Sequence, residues 1–420
     1  MKSSHSTLGR SSDFAEDARH AIQQLRNALG DVVEQLPGGR TMRPAHLADA
    51  LELDTRLAWK ISKIASADDP FLASQYVPGA GGLRIFLRAA ARSHVDEQAI
   101  QRVNAAFAEY RKVMKAHAGD RDSFDAMLAA HVNVSQSRVD LTHRKAAFKH
   151  LSYIWGVQAR TQLHTYLIQP SANPDRLDVA TIRGFVDLRW IRPNVPWRIA
   201  RFYTIGLEGR NQDQQREALS PASDAVSATG DLPFMHEFCS KPLPPLRRTP
   251  STRGDEVYQL VESPVGNKGL VTYIFGEVIR LGEPRYREGG YKSLVMFALP
   301  RTPCETLVFD ILLHRDVIEK PAPTAALFND LFDRASEGSP DDFDRLPLHE
   351  RVEELGAGAD ATRTPDVPSY PEMTRHALKQ LGWVEEEFRV FRLRIKYPPI
   401  PTAVELSQAL PARPGVAEER

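Results

Sequence analysis

Residues 43–64 read RPAHLADALELDTRLAWKISKI. Apolar residues at Leu47, Leu51, Leu53, Ala58 and Ile61 fall where two short helices crossing closely must bury side chains. Ala48 stands at the predicted crossing point, where a larger residue would force the helices apart. Pro44 suits the first turn of the first helix, because the N–H it lacks has no intrahelical partner there. Asp54 is placed to cap the second helix. That leaves Thr55, Arg56, Trp59, Lys60 and Lys63 outward on the second helix, a face of three cations, a hydroxyl and an indole.

This pattern resembles helix-turn-helix DNA-binding proteins, at superfamily level and over these residues alone. The resemblance implies a recognition helix in which Arg56 takes a guanine edge while Lys60 and Lys63 reach phosphates, with Thr55 and Trp59 beside them. It also implies a third helix to close the core. Glu52 departs from the pattern at the turn position usually held by Gly, where a left-handed conformation costs a non-Gly residue about 1–2 kcal/mol. An outward Trp59 also departs, since exposed tryptophan more often marks a contact. Helical modules of this shape serve as protein docking modules too, and that alternative stays open.

Working outward, Ala18, Ile22, Leu25, Leu29, Val32 and Leu36 step by four and three, predicting the third helix up to Pro37-Gly38-Gly39. Leu83 to Ser93 and Glu97 to Ala118 read as further helices, the second capped by Asp96, while Pro78–Gly82 reads as a turn. A long helix or kinked pair is expected from Gln136 to Leu167. The stretch 176–201, with Trp190 and Trp197 among prolines, fits no single element. Between Glu208 and Asp255 the composition turns to Gln, Ser, Pro and Asp, with Ser220 to Thr229 featureless and Lys241 to Pro250 proline-rich.

Val257–Glu262, Leu270–Leu281, Tyr291–Leu299, Glu305–His314 and Arg389–Tyr397 read as strands. In the last, Arg392, Arg394 and Lys396 alternate with Phe391, Leu393, Ile395 and Tyr397, the pattern of a half-buried strand in an antiparallel sheet. Ala325–Ala335 and Tyr370–Leu381 read as helices. The fold class expected is α+β. A helical domain (1–130) bearing the helix-turn-helix-like segment precedes a helical, basic middle region (131–215) and a Pro/Ser-rich linker (216–255). An antiparallel-sheet α+β domain (256–400) and a loose tail (401–420) follow.

Charge excludes little, because Lys+Arg and Asp+Glu are equal at 54 each among 420 residues. Attraction to a polyanion must therefore come from local patches. Residues 138–216 hold 13 basic against 6 acidic residues and residues 317–360 hold 4 against 11, blocks that suit mutual pairing within or between chains. A basic surface with Trp190 and Trp197 stacking on nucleic acid is the sharper reading of the first block. Two cysteines, Cys239 and Cys304, are too few for a disulfide framework. No apolar run approaches the roughly 20 residues that span a bilayer. A cytoplasmic protein without a membrane partner is expected.

Other constellations are thin. Gly79-Ala80-Gly81-Gly82 lacks the spacing of a phosphate loop. His236, Cys239, Cys304 and His314 lack paired metal spacing, and no metal or cofactor is expected. Asp341, Asp342 and Asp344 read as a solvated acidic loop. Asp310, near His314 and Asp316 at a strand end, is the most interesting single carboxylate, on an otherwise apolar strand. Buried, it needs a partner, for which Arg315 or His314 is at hand. No catalytic residue is assigned. The function expected is a DNA-binding transcriptional regulator with a C-terminal part that senses a ligand or partner. The alternative is a non-enzymatic protein that binds itself or another protein.

Overall fold

The computed structural model describes residues 6–36, 39, 43–67, 69–129, 136–202, 215–220, 233–250, 256–260, 264–288, 291–318, 322–329 and 344–414. The chain mixes helix and sheet and falls into two compact units, 1–140 and 141–420.

The first unit is helical. Its elements are α1 (Ser6–Glu34), α2 (Pro44–Leu51), α3 (Thr55–Ala65), α4 (Pro70–Ser74), α5 (Ala80–Arg92), α6 (Glu97–His117) and α7 (Arg121–Ala129). The apolar stripe of α1 is buried from Phe14 to Val33, and the helix packs on α3, α4 and α6. One core joins Ile22, Leu25 and Leu29 to Leu47, Leu51, Ile61 and Ile64, and continues to Phe86, Val103 and Tyr110. Phe124 closes its far end, edge-on to both Phe14 and Tyr110. Asp96 caps α6 as expected, accepting from the Gln98 N–H at 3.3 Å. Helix α5 starts three residues before the expected Leu83, taking Gly81 and Gly82 into its first turn. Helix α7 was not anticipated.

The second unit is built on sheets. Helix α8 (Gln136–Trp155) enters it and stops at Gly156, whose φ of 74° admits a glycine and strains other residues. The strands are β1 (Val157–Pro170), β2 (Arg176–Trp190), β3 (Trp197–Phe202), β4 (Gln215–Ala218), β5 (Leu246–Pro250), β6 (Glu256–Leu260) and β7 (Val271–Pro284). Then come β8 (Ser293–Ala298), β9 (Cys304–His314), β10 (Thr324–Asn329), β11 (Arg345–Leu346) and β12 (Glu353–Ala357). Helix α9 (Tyr370–Leu381), β13 (Phe388–Lys396) and β14 (Thr402–Ala409) complete the order.

Seven strands form the main sheet, in the order β12-β13-β9-β1-β2-β7-β4. All neighbours run antiparallel except β1 and β9, which are parallel, so the sheet is mixed rather than antiparallel throughout. On one face Leu307, Phe309, Ile311, Leu393 and Ile395 meet Met296, Leu327, Val404 and Leu406 of a second sheet, β11-β10-β14-β8. On the other face Ala159, Leu163, Val308 and Leu312 share a core with Tyr370, Met373 and Ala377 of α9 and with Tyr258 and Leu260 of β6. Strand β6 is the middle strand of a third sheet, β3-β6-β5.

Several expected boundaries are therefore corrected. The helix expected to reach Leu167 ends at Trp155, and the middle region 131–215 is chiefly sheet: β1 and β2 are central strands of the same sheet as β7 and β9. The linker 216–255 contributes Leu219, Phe234, Met235 and Cys239 to the core and pairs β5 with β6, so it joins no separate domains. Ala325–Asn329 is strand, held between β11 and β14, rather than helix. The tail is not loose over Thr402–Ala409, where β14 pairs with β10 on one side and β8 on the other, and residues 415–420 lie outside the described residues. Residues 221–229, 330–335, Asp341 and Asp342 lie outside the described residues.

Candidate nucleic-acid interface

The second-helix face is built from the backbone up. Pro44 opens α2 after an extended Arg43 (φ −65°, ψ 146°). Leu47, Ala48 and Leu51 are buried, and α2 ends at Glu52, which adopts φ 47° and ψ 48°. The left-handed position is thus kept without a glycine. Two hydrogen bonds hold the turn: Glu52 N–H to the Asp49 carbonyl at 3.4 Å and Leu53 N–H to the Ala48 carbonyl at 2.9 Å. Asp54 then caps α3, its Oδ1 accepting from Arg56 N–H at 2.9 Å and Leu57 N–H at 3.3 Å. A carboxylate at a helix N-terminus also meets the positive end of the helix dipole.

Helix α3 buries Ala58, Ile61 and Ile64 against α1 and α2, so its opposite face is fixed by geometry. Thr55, Arg56, Trp59, Lys60 and Lys63 are all exposed on that face, as the sequence pattern predicted. Arg56, Lys60 and Lys63 form no ion pair among the described residues. Trp59 is 41% exposed. Its ring stands edge-on to Tyr76, with centroids 5.2 Å apart, so one flank is anchored and one is open. Asp49, Glu52 and Asp54 sit at the α2 end of this surface and bias it against phosphate there; the cations lie further along α3.

The other residues singled out in the sequence are placed as structural groups. Asp310 is fully buried, but its partner is Arg392 on the neighbouring strand, not Arg315 or His314. Arg392 grips it with Nε at 2.9 Å from Oδ1 and Nη2 at 2.7 Å from Oδ2. Both His314 and Arg315 turn to Glu387 instead, each at 2.9 Å. Burial pushes the Cys239 thiol up to about 11 and the Cys304 thiol up to about 12, leaving both protonated near neutrality and poor nucleophiles. No three His, Cys, Asp or Glu side chains gather as a metal site among the described residues. Trp190 is buried and donates to the Val195 carbonyl at 2.7 Å, and Trp197 donates to Thr302 at 3.2 Å, so neither stands free to stack on a base. Among the described residues the two charged blocks meet at Arg144 and Glu350, 2.7 Å apart.

Two arrangements had no signal in the sequence. Ser220 Oγ lies 3.4 Å from His376 Nε2, and Glu237 Oε2 lies 3.4 Å from His376 Nδ1. The order is that of nucleophile, base and orienting acid, yet both contacts are long and the Glu237 side chain is 70% exposed. Water competes for such a carboxylate and the ring is not held. The second is a cleft of about 270 Å³ lined by His143, Arg144, Phe148, Leu151, Pro303 and Ile400. It falls just below the roughly 300–1,000 Å³ of small-molecule sites, and its one guanidinium is the Arg144 already committed to Glu350. Only distant residues meeting in space create either feature, so no local pattern announces them.

Among the described residues no helix is long and apolar enough to cross a membrane. No protein-family model, no curated protein and no solved structure matches the chain, so the α3 face stands on its own geometry.

Proposed function

We propose that the chain is a DNA-binding regulator in which α2 and α3 act as a helix-turn-helix and the second unit binds a ligand or protein partner. One observation carries the reading. A capped helix, held on its inner side by Ala58, Ile61 and Ile64, turns three unpaired cations, a hydroxyl and a half-anchored indole to solvent. The left-handed Glu52 supports it, because a turn of that conformation is kept even though the residue is not glycine. A helix of this width fits the B-DNA major groove, where Arg56 would read a guanine edge and Lys60 and Lys63 would meet phosphates.

The test is binding of the full chain to a random-sequence duplex pool across a salt series, with Arg56→Ala/Lys60→Ala as the control variant. Affinity is expected to fall steeply with salt, and the double variant to bind more weakly and lose its preference among sequences enriched from the pool. Salt-insensitive binding, or binding indifferent to the double substitution, refutes the reading. Docking onto a protein is the second reading, favoured by the exposure of Trp59. Trp59→Ala separates the two, since it would abolish partner capture while leaving the salt dependence of DNA binding in place.

A further inference from the structure

Helix α5 carries the same charge signature as α3, and no reading of the sequence used it. Neither helix contains an Asp or Glu; α3 carries Arg56, Lys60 and Lys63, and α5 carries Arg84, Arg88 and Arg92. Elsewhere in the unit α6 and α7 mix their signs, α2 has Asp49 and no Lys or Arg, and α4 has no charge. All six cations are exposed, and none forms an ion pair among the described residues. Arg88 reaches only back along its own helix, Nε to the Arg84 carbonyl at 3.4 Å.

The two helices touch at their first turns. A Cβ on Gly82 would lie 3.3 Å from Leu57 Cδ1 and 3.3 Å from Pro78 Cβ, so the absence of a side chain is what lets α5 approach α3. Helix α5 buries Leu83, Phe86, Leu87, Ala89 and Ala90, which turns Gly81, Arg84, Arg88 and Arg92 outward. Leu57 lies on the flank of α3 next to Arg56 and Lys60. Gly82 and Leu57 set the seam at the first turns, and each helix carries its cations on the side turned away from its buried residues. Arg84, Arg88 and Arg92 recur every four residues, a row of about 12 Å at 1.5 Å per residue. Measured along the B-DNA axis, that length covers about three to four phosphates of one strand.

We infer that α5 is a second contact element of the same interface: Arg84, Arg88 and Arg92 bind the phosphate backbone of duplex DNA beside the groove that α3 enters. The inference rests on the reading of α3 as the DNA-contacting helix. It divides the work, with α3 choosing sequence and α5 adding affinity that any duplex receives. Simple charges suffice for such a role, whereas Arg56 on a guanine edge needs its planar fork.

The test uses the full chain and a random-sequence duplex pool, comparing wild type with Arg84→Gln/Arg88→Gln, Arg84→Lys/Arg88→Lys and Arg56→Ala/Lys60→Ala. Removing two phosphate contacts lowers the slope of log affinity against log salt by about 1.8, so the deficit of the Gln variant shrinks about 12-fold from about 50 to about 200 mM salt. The Lys variant is expected to keep the wild-type slope, which also guards against a Gln variant that merely misfolds. The Gln variant is expected to weaken binding to enriched and random duplexes equally, while Arg56→Ala/Lys60→Ala narrows the gap between them. A wild-type slope in a folded Gln variant overturns the inference and leaves the α3 reading standing. A wild type that binds no duplex overturns both. Tighter binding to phosphatidylserine vesicles than to duplex, lost in the Gln variant, overturns it in favour of a membrane surface.

Discussion

Replacing Arg392 by Met should expose how the second unit is held together. Arg392 is 8% exposed at its side chain and Asp310 0%, and the two stand opposite each other across β13 and β9. Without the guanidinium, Asp310 keeps only the Tyr370 hydroxyl, which also meets Thr165 at 2.6 Å. An uncompensated buried carboxylate costs about 3–5 kcal/mol. The Thr362 carbonyl, which accepts from Arg392 at 2.6 Å, loses its donor as well, for about 1–3 kcal/mol. Removing both charges, with Asp310→Leu added to Arg392→Met, should leave only the second cost. The double variant should then recover about 3–5 kcal/mol of what the single variant loses. Urea unfolding followed by tryptophan fluorescence reads this unit well, because Trp155, Trp190, Trp197 and Trp383 belong to it and Trp59 to the other. The deficit of the single variant should also depend on pH. Asp310 left without its cation has a folded pKa above its unfolded value, so stability is retained below the unfolded value, about 3.9, and lost as pH rises through the folded one. A single-variant cost under about 1 kcal/mol, or a double variant no better than the single, would refute the account of the pair.

Three further outcomes are expected. Glu52→Gly relieves about 1–2 kcal/mol of left-handed strain against about 0.5–1 kcal/mol of added chain entropy; a small rise in the melting temperature of the helical unit checks it. Gly184→Ala drives a Cβ to 1.8 Å from the Tyr273 carbonyl oxygen on the adjoining strand, so sheet stability should drop by about 3 kcal/mol or more, measurable by chemical denaturation. Asp366 is pushed up by burial, but its hydrogen bond to Arg394 and the charges of Lys396 and Arg394 outweigh this and hold it below the ordinary carboxylate range. That contribution is present above the unfolded value and lost as pH falls through the folded one, so Asp366→Asn should flatten the acid limb of the stability curve, with a loss near neutrality of about 1 kcal/mol.

What the sequence made legible follows from period and partner. Helices α1, α3 and α9 keep an unbroken 3.6-residue stripe with a cap or a breaker at an end, and their interiors are where the pattern places them. Strand β1 was missed because its inward positions step by two, and Leu163 and Leu167, four apart, also fit a helix. Thr161 and Thr165 occupy the inward positions between apolar ones and are fully buried, so the core face does not look apolar. Strand β14 follows Pro398, Pro399 and Pro401 and reads as a frayed end; pairing on both sides makes it a central strand. For Asp310 the need of a partner was legible and its identity was not. Arg392 is 82 positions away, and only the β9–β13 register brings it opposite. The candidate α3 face was legible because it needs only local geometry; α5 was legible from Leu83 onward, and only its first turn was obscured by Gly81 and Gly82, which look like a turn until Leu57 is seen to require the space.

The equality of basic and acidic residues over the whole chain hides two different uses of charge. In the second unit many arginines end on a carboxylate of the same unit: Arg392 on Asp310, Arg394 on Asp366, Arg280 on Asp178, Arg183 on Glu277 and Arg144 on Glu350. A paired cation contributes little field beyond the pair, since salt screens what remains over about 8–10 Å. The six cations of α3 and α5 have no carboxylate within their own helices; on the interface proposed above their fields would add, less what Asp49, Glu52 and Asp54 subtract at the α2 end. Counterions gather there, and a polyanion that displaces them gains the entropy of their release. Acidic substitutions on the exposed positions of α3 or α5 should therefore weaken duplex binding more than the same number placed on α6, although each changes the net charge of the chain equally. If binding instead tracked net charge alone, wherever the substitutions fell, the interface would not lie on these two helices.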